Sequence, residues 1–403
     1  MGEKRRASWP DATAWYSVTA GVCDSSLAVR ACDDEGGTEA GGASDAPLPM
    51  KAARWHGRRD VRVEDIAVPT PGRGEILLRV RLCGICGTDL EEYRHGPLVI
   101  PTDRPHPLTG RQAPLTMGHE FLGVVEALGP DVSGLREGDR VAPDICLFCN
   151  ACVFCRRHQY ALCEKWVTIG LHTDGGLAEF VTVPASACLR LPDSLSDREG
   201  ALIEPTEVAV RAVNKAPPRL GDVVAVLGGG TIGLLTLQVS RAAGAGEVVV
   251  IEPRPARRAL ALELGAAAAL DPGDPGWKDE LRRRAGGLGP DVVFECAGRP
   301  DSASVAIRMA RKGGRIVLVG ITGGEVPVDT LDLLIGEKTV IGTIQHHYDE
   351  DLPAAVRLLA DGRVRGLPMV TAEIPLADVV RGGFEALTSP GQEHLKVLVN
   401  PRA

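Results

Sequence analysis

Six residues, Gly228-Gly229-Gly230-Thr231-Ile232-Gly233, limit what this chain can fold into more than any other stretch. They follow the branched apolar run "DVVAVL" and open "TIGLLTLQVSRAAGA", a segment of helical apolar spacing that closes on glycine. A G-x-G-x-x-G turn between a strand and a helix is the phosphate-binding turn of a dinucleotide fold. Gly228 permits the tight turn, and Gly230 lets the backbone approach a pyrophosphate seated on the helix N-terminus. Gly233 lets helix and strand pack closely, and Ile232 lies in the same turn. Glu252 ends the next strand, "EVVVIE". A carboxylate there accepts both ribose hydroxyls and repels a 2′-phosphate, so NAD is expected over NADP. Arg254, Arg257 and Arg258 follow at once and keep NADP as the lesser alternative.

The alternation continues through "DVVFECAG", "SASVAIRMARKGG" and "RIVLVG", which predicts a doubly wound parallel α/β sheet over residues 206–345. Residues 50–205 read differently. Short strands such as "GEILLRVRLCG" and "FLGVVEALG" are broken by Gly and Pro, an irregular β-rich domain. Residues 346–403 hold a helix, "LPAAVRLLADG", and a last strand, "HLKVLVNP". A chain of 403 residues suits two such domains. Residues 1–49 are Gly- and acid-rich without apolar periodicity, and are expected to be a disordered tail. With four basic and eight acidic residues they carry −4 of the chain's net charge of −8.

That acidic balance and an aromatic content of 4% argue against nucleic acid as a partner. No apolar run reaches the length of a membrane span, and the N-terminus has no signal-peptide core, so a cytoplasmic protein is expected. Eleven cysteines, seven of them in two clusters, point to metal ligation rather than disulfides. Five lie in "CLFCNACVFCRRHQYALC", residues 146–163, where a tetrahedral ion needs four. Two quartets are open: Cys146, Cys149, Cys152 and Cys155, or Cys149, Cys152, Cys155 and Cys163. The longer last gap of the second lets the chain turn back over the metal. Elsewhere, "CGICGTDL" offers Cys86 and "MGHEFLG" offers His119 and Glu120. Thiolate, imidazole and carboxylate with one open position are the design of a catalytic zinc, a Lewis acid. "ALIEPTEVAV" adds Glu204 at the domain boundary. Each alone reads as a buried thiol, a structural histidine or a helix cap.

In combination they say more. G-I-C-G-T-D, G-H-E, the four-cysteine lobe, E-P and the late G-x-G-x-x-G occur in the order of the zinc-dependent medium-chain dehydrogenases/reductases. Over roughly residues 50–403 the chain resembles that family. Within it, "VIPTDRPHPLTGRQAPLTMGHEFLG" and "HLKVLVNP" look like the butanediol dehydrogenase branch, with sorbitol and threonine dehydrogenases alongside. The resemblance implies a GroES-like catalytic domain and a Rossmann domain with the site in the cleft between them. It implies an NAD-dependent alcohol dehydrogenase that interconverts a secondary alcohol or vicinal diol and its ketone by hydride transfer, as a homodimer or homotetramer. Two zinc ions per chain follow from it. Cys86, His119 and Glu120 match the catalytic ligands, with Glu204 an exchangeable fourth; in part of the family the acid after this histidine stays behind the ligands instead. Cys149, Cys152, Cys155 and Cys163 match the structural lobe, leaving Cys146 spare. Thr88 matches the hydroxyl that relays the substrate proton, and Glu252 and Arg257 match positions that hold the adenosine ribose. Relatives commonly carry a histidine three residues beyond the relay hydroxyl; here Glu91 stands there, so the outer end is expected to be Glu91, Glu92 or a different exit through water. His95, His346 and His347 have no spacing argument and read as surface residues. A zinc-ribbon nucleic-acid module and a zinc-free quinone reductase are the competing readings. The acidic balance disfavours the first, and intact Cys86, His119 and Glu120 disfavour the second.

Overall fold

Five apolar residues in a row, Val223–Leu227, are buried almost throughout, as a strand covered on both faces must be. The computed structural model, which describes residues 48–321 and 323–403, makes this strand the centre of a six-stranded parallel sheet. Across the sheet the order is Ala268–Leu270, Glu247–Ile251, Val223–Leu227, Val292–Glu295, Arg315–Leu318 and Thr339–Gly342. The direction of winding reverses beside Val223–Leu227, and a crevice opens at such a switch point beyond the carboxyl ends of the strands. Gly228 leaves the strand with φ +97°, and a Cβ on Gly233 would overlap the carbonyl oxygen of Gly228. Only glycine serves at either position.

The other sheets are mainly antiparallel. Cys188–Arg190, Arg140–Pro143, Glu120–Leu128, Glu75–Gly84 and Lys396–Asn400 lie side by side, with Val370–Pro375 parallel to the last. Phe180–Pro184 also pairs with Glu75–Gly84. A smaller sheet joins Asp60–Ala67, Pro49–Gly57 and Leu115–Thr116. Trp55, Ile76, Leu78, Leu115, Met117 and Phe384 fill this domain's core. The Ile203–Lys215 helix packs on Thr231–Ala242, on Asp351–Ala360 and on strand Glu120–Leu128, so it ties the two domains together.

One boundary moves. The return was expected from residue 346, but Leu352, Ala355, Val356 and Leu359 of the Asp351–Ala360 helix join the core around Val224 and Leu234. The chain rejoins the antiparallel sheet only at Val370. An amphipathic helix declares that it has a buried face, not which sheet it covers. The tail expected over residues 1–49 lies outside the described residues up to 47, and Pro49 already begins the first strand. Among the described residues no helix is long and apolar enough to cross a membrane.

Candidate active site

Cys86 caps the Gly87–His95 helix, and its backbone N–H donates to Asp89 Oδ2 at 2.9 Å. Its Sγ lies 3.7 Å from Thr88 Oγ1. His119 enters from the turn before strand Glu120–Leu128, a turn made by Gly118 at φ +94°. His119 Nδ1 stands 3.3 Å from Asp89 Oδ1, and both residues are buried. A carboxylate on Nδ1 leaves Nε2 as the ligating nitrogen, the usual setting of a metal-bound histidine. Burial opposes charge on His119, yet Asp89 and then Cys86 outweigh it and lift the imidazole well above its ordinary value. The donor set and its surplus of negative charge fit a divalent cation held by Cys86 and His119.

Glu120 is placed differently from the expectation. Both its oxygens accept from Lys396 Nζ, Oε1 at 2.7 Å, and Lys396 also donates to the Ile85 carbonyl at 3.0 Å. The two side chains are 1% and 3% exposed, a buried ion pair. An ammonium on both oxygens competes with a metal for the same lone pairs, so Glu120 stands behind the thiol–imidazole pair rather than beside it. Gly84 makes room: a Cβ there would collide with Glu120. Glu204, in the first turn of Ile203–Lys215, keeps its carboxylate free of lysine contact, with Oε1 3.4 Å from His346 Nε2. Burial alone would raise Glu204, but His346, His119 and Lys396 bring it below its ordinary value.

The proposed proton exit is also corrected. Glu91 is 43% exposed and ion-paired with Arg94 at 3.8 Å and His95 at 3.9 Å, which draw it outward; no hydrogen bond joins it to Thr88. Glu92 is fully buried and accepts the backbone N–H groups of Leu98, Val99 and Ile100, so it pins that loop. His95 is exposed as expected, but His346 and His347 are buried, at 2% and 8% exposure.

A cavity of about 220 Å³ joins this cluster to the nucleotide turn. Cys86, Gly230, Thr231, Ile232, Arg257 and Lys396 are among the residues around it. A Cβ on Gly230 would meet nothing within 4 Å, so the turn opens onto free space of the kind a pyrophosphate needs. Glu252 is buried; Oε2 accepts from Gly229 N at 2.7 Å and Oε1 from Arg254 N at 2.9 Å. Arg258 is engaged with Asp271 at 2.9 Å, while Arg257 lines the cavity with its guanidinium 3.4 Å from the His394 carbonyl.

The cysteine lobe resolves the two quartets. Ligand atoms of Cys149, Cys152, Cys155 and Cys163 lie within 4.8 Å of one another. Sulfur separations of 3.5 Å (Cys152–Cys155) and 3.9 Å (Cys149–Cys155) bracket the ~3.8 Å edge of a zinc–sulfur tetrahedron. Backbone N–H groups of Cys149 and Lys165 donate to Cys163 Sγ, as suits a thiolate. Cys146 lies apart, 3.6 Å from His346 Nε2. Cys163→Ser is therefore expected to release one zinc per chain and lower Tm by about 5 °C, read by metal analysis and calorimetry. Unchanged zinc content would restore the other quartet.

Asp89, Lys396, Asp144, Glu207 and His346 escaped the sequence. Asp89 adjoins Thr88 in the same motif, and Lys396 is the lone cation in an apolar run; both were visible signals.

Comparison with known proteins gives the family. Residues 72–193 match the alcohol dehydrogenase GroES-like domain and residues 231–361 the zinc-binding dehydrogenase domain. (R,R)-butanediol dehydrogenase of Bacillus subtilis is 40% identical over 359 residues, 87% of this chain and 100% of the relative. L-threonine 3-dehydrogenase of Pyrococcus horikoshii is 34% identical, over 84% and 94%. The crystal structure of 2R,3R-butanediol dehydrogenase from Bacillus subtilis superposes with a TM-score of 0.81 at 39% identity, covering 87% of this chain and 99% of that one.

Proposed function

The chain belongs to the zinc-dependent medium-chain dehydrogenases, and on that footing we propose that it interconverts a vicinal diol of the 2,3-butanediol type and its hydroxyketone, with NAD as the hydride carrier. It is an oxidoreductase acting on CH–OH groups and uses zinc and a nicotinamide cofactor. The observation that carries the proposal is one cavity with Cys86 at one end and the glycine turn at the other.

Zinc held by Cys86 and His119, with Glu204 exchangeable, supplies Lewis-acid polarisation of the substrate oxygen, and NAD supplies the hydride acceptor. The protein's own residues do the rest. Asp89 fixes the His119 ring so that Nε2 is the ligating atom. Thr88 Oγ1, beside Cys86, receives the hydroxyl proton and hands it to solvent rather than to Glu91. Ile85, Leu90, Leu387 and Leu395 give the cavity an apolar lining that limits water. With Glu120 paired to Lys396, Cys86 and Glu204 as anions would just cancel the charge of a divalent ion, and Glu204 is the residue whose exchange would open a position for the alcohol.

An NAD⁺ and NADP⁺ reduction panel over each 2,3-butanediol stereoisomer, sorbitol and L-threonine tests the substrate. (R,R)-butanediol with NAD⁺ should lead by about tenfold in kcat/KM, about 1.4 kcal/mol. A lead for sorbitol or threonine removes the diol assignment. Glu252→Ala should lower kcat/KM for NAD⁺ by about tenfold and narrow the preference over NADP⁺ in the same panel.

A homodimer, alone or as half of a tetramer, is supported by the open edge strand Thr339–Gly342. Exposed Leu331, Leu334, Ile335, Val340 and Ile344 surround it, an apolar edge suited to a second copy. Nine free cysteines among the described residues suit the reducing cytoplasm.

A further inference from the structure

Behind the Cys86–His119 pair lies a second group of the same kind. His346, which follows the last strand of the parallel sheet, is brought against Cys146 of the antiparallel domain and against Glu204 and Glu207 of the connecting helix. Its Nε2 is 3.6 Å from Cys146 Sγ and 3.4 Å from Glu204 Oε1. Zinc–ligand lengths of about 2.3 Å to sulfur and about 2.0–2.1 Å to nitrogen and oxygen set tetrahedral edges of about 3.5 Å and about 3.3 Å. The two measured separations match those edges.

The other ring nitrogen repeats the arrangement of His119. His346 Nδ1 is 2.9 Å from Glu207 Oε2 and 3.2 Å from Asp144 Oδ2. Asp144 also accepts the backbone N–H of Cys146 at 2.6 Å through Oδ1, so one carboxylate orients both donors. Ligand atoms of Asp144, Cys146 and His346 all lie within 4.8 Å of one another. Exposure is 1% for Asp144, 6% for Cys146, 0% for Glu207 and 2% for His346.

Asp144 Oδ2 and Glu207 Oε2 both face His346 Nδ1, so the ring is held from that side and Nε2 is left toward Cys146 and Glu204. Three carboxylates and a thiol surround a single imidazole there, a donor set of the kind that holds a borderline-soft divalent ion.

We propose that Cys146, His346 and Glu204 bind a further divalent ion of zinc type, the third per chain, at the domain junction, with Asp144 and Glu207 holding the histidine ring. Sulfur and imidazole ligands select a borderline-soft ion over magnesium or calcium. Glu204 is then common to two ions, the one on Cys86 and His119 and this one. The role of Glu204 toward the first ion rests on the dehydrogenase reading; the Cys146–His346 ion does not. Its consequence is control: an ion on Cys146 and His346 draws Glu204 inward and leaves the first ion open to substrate.

The test is zinc content of full-length protein purified from zinc-supplied cells, measured per chain by plasma mass spectrometry beside a folding check by NADH binding. His346→Gln and Cys146→Ser are each expected to hold one ion fewer than wild type, and Cys86→Ala also one fewer. The Cys86→Ala/His346→Gln double variant should hold two fewer. Wild-type content in His346→Gln and Cys146→Ser, or a double variant no poorer than Cys86→Ala, overturns the proposal. Should His346→Gln fail to bind NADH, the milder Cys146→Ser decides, through loss of one sulfur-to-metal band in the cobalt-substituted protein. Cys86→Ala at full zinc content beside a depleted His346→Gln would instead sink the ion on Cys86 and His119 and keep the one on Cys146 and His346.

Discussion

Cys86→Ala is expected to lower kcat/KM for alcohol oxidation about 10³-fold or more, at least about 4 kcal/mol of transition-state stabilisation. Cys86 supplies the thiol that acts on the His119 imidazole and lies 3.7 Å from Thr88 Oγ1, and it lines the cavity that also reaches the glycine turn. Its loss removes a ligand and the charge that pairs with a divalent ion, so the variant should also lose one zinc per chain. The glycine turn is untouched, so NADH should bind with near wild-type affinity. Steady-state turnover, metal content and NADH fluorescence titration read the three quantities separately. Oxidation within tenfold of wild type would sink the zinc mechanism. Loss of NADH binding together with turnover would show a folding defect instead.

Lys396→Met should be the most damaging single change to stability, because it strands Glu120 in a pocket where both partners are almost fully buried. Breaking a buried pair from one side costs about 3–5 kcal/mol, since a charge is left without compensation. In a chain of this size that is a fall in Tm of about 10 °C, measurable by calorimetry. The Glu120→Gln/Lys396→Met double variant removes both charges and should recover most of the loss. The same pair reports on Glu120 itself. Held by lysine, Glu120→Gln keeps its full zinc content; a loss matching that of Cys86→Ala would make Glu120 a direct ligand after all.

What could be read beforehand follows from distance along the chain. The glycine turn, Glu252 and the lobe Cys149–Cys163 are local: their chemistry is written in spacings of a few residues, and the four lobe sulfurs do come together. Cys86, Thr88 and His119 needed the combination of motifs, since each alone is also a common buried residue. Lys396 meets Glu120 across 276 positions and His346 meets Cys146 across 200, and no periodicity links such partners. His346 read as a surface residue because a polar pair after a short strand resembles any loop. Glu91 and Glu92 show the reverse error: adjacent carboxylates with the same composition part company, one to solvent and one to three backbone N–H groups.

The strand Lys396–Asn400 completes the sheet beside Glu75–Gly84, and Lys396 reaches back to Ile85 and Glu120. During synthesis every candidate ligand of the Cys86 site is translated long before this strand exists. The wall behind that site closes only once this strand has paired, so a nascent chain is expected to carry the full ligand set before it is active, and truncation ahead of Lys396 would cost catalysis without removing a single ligand.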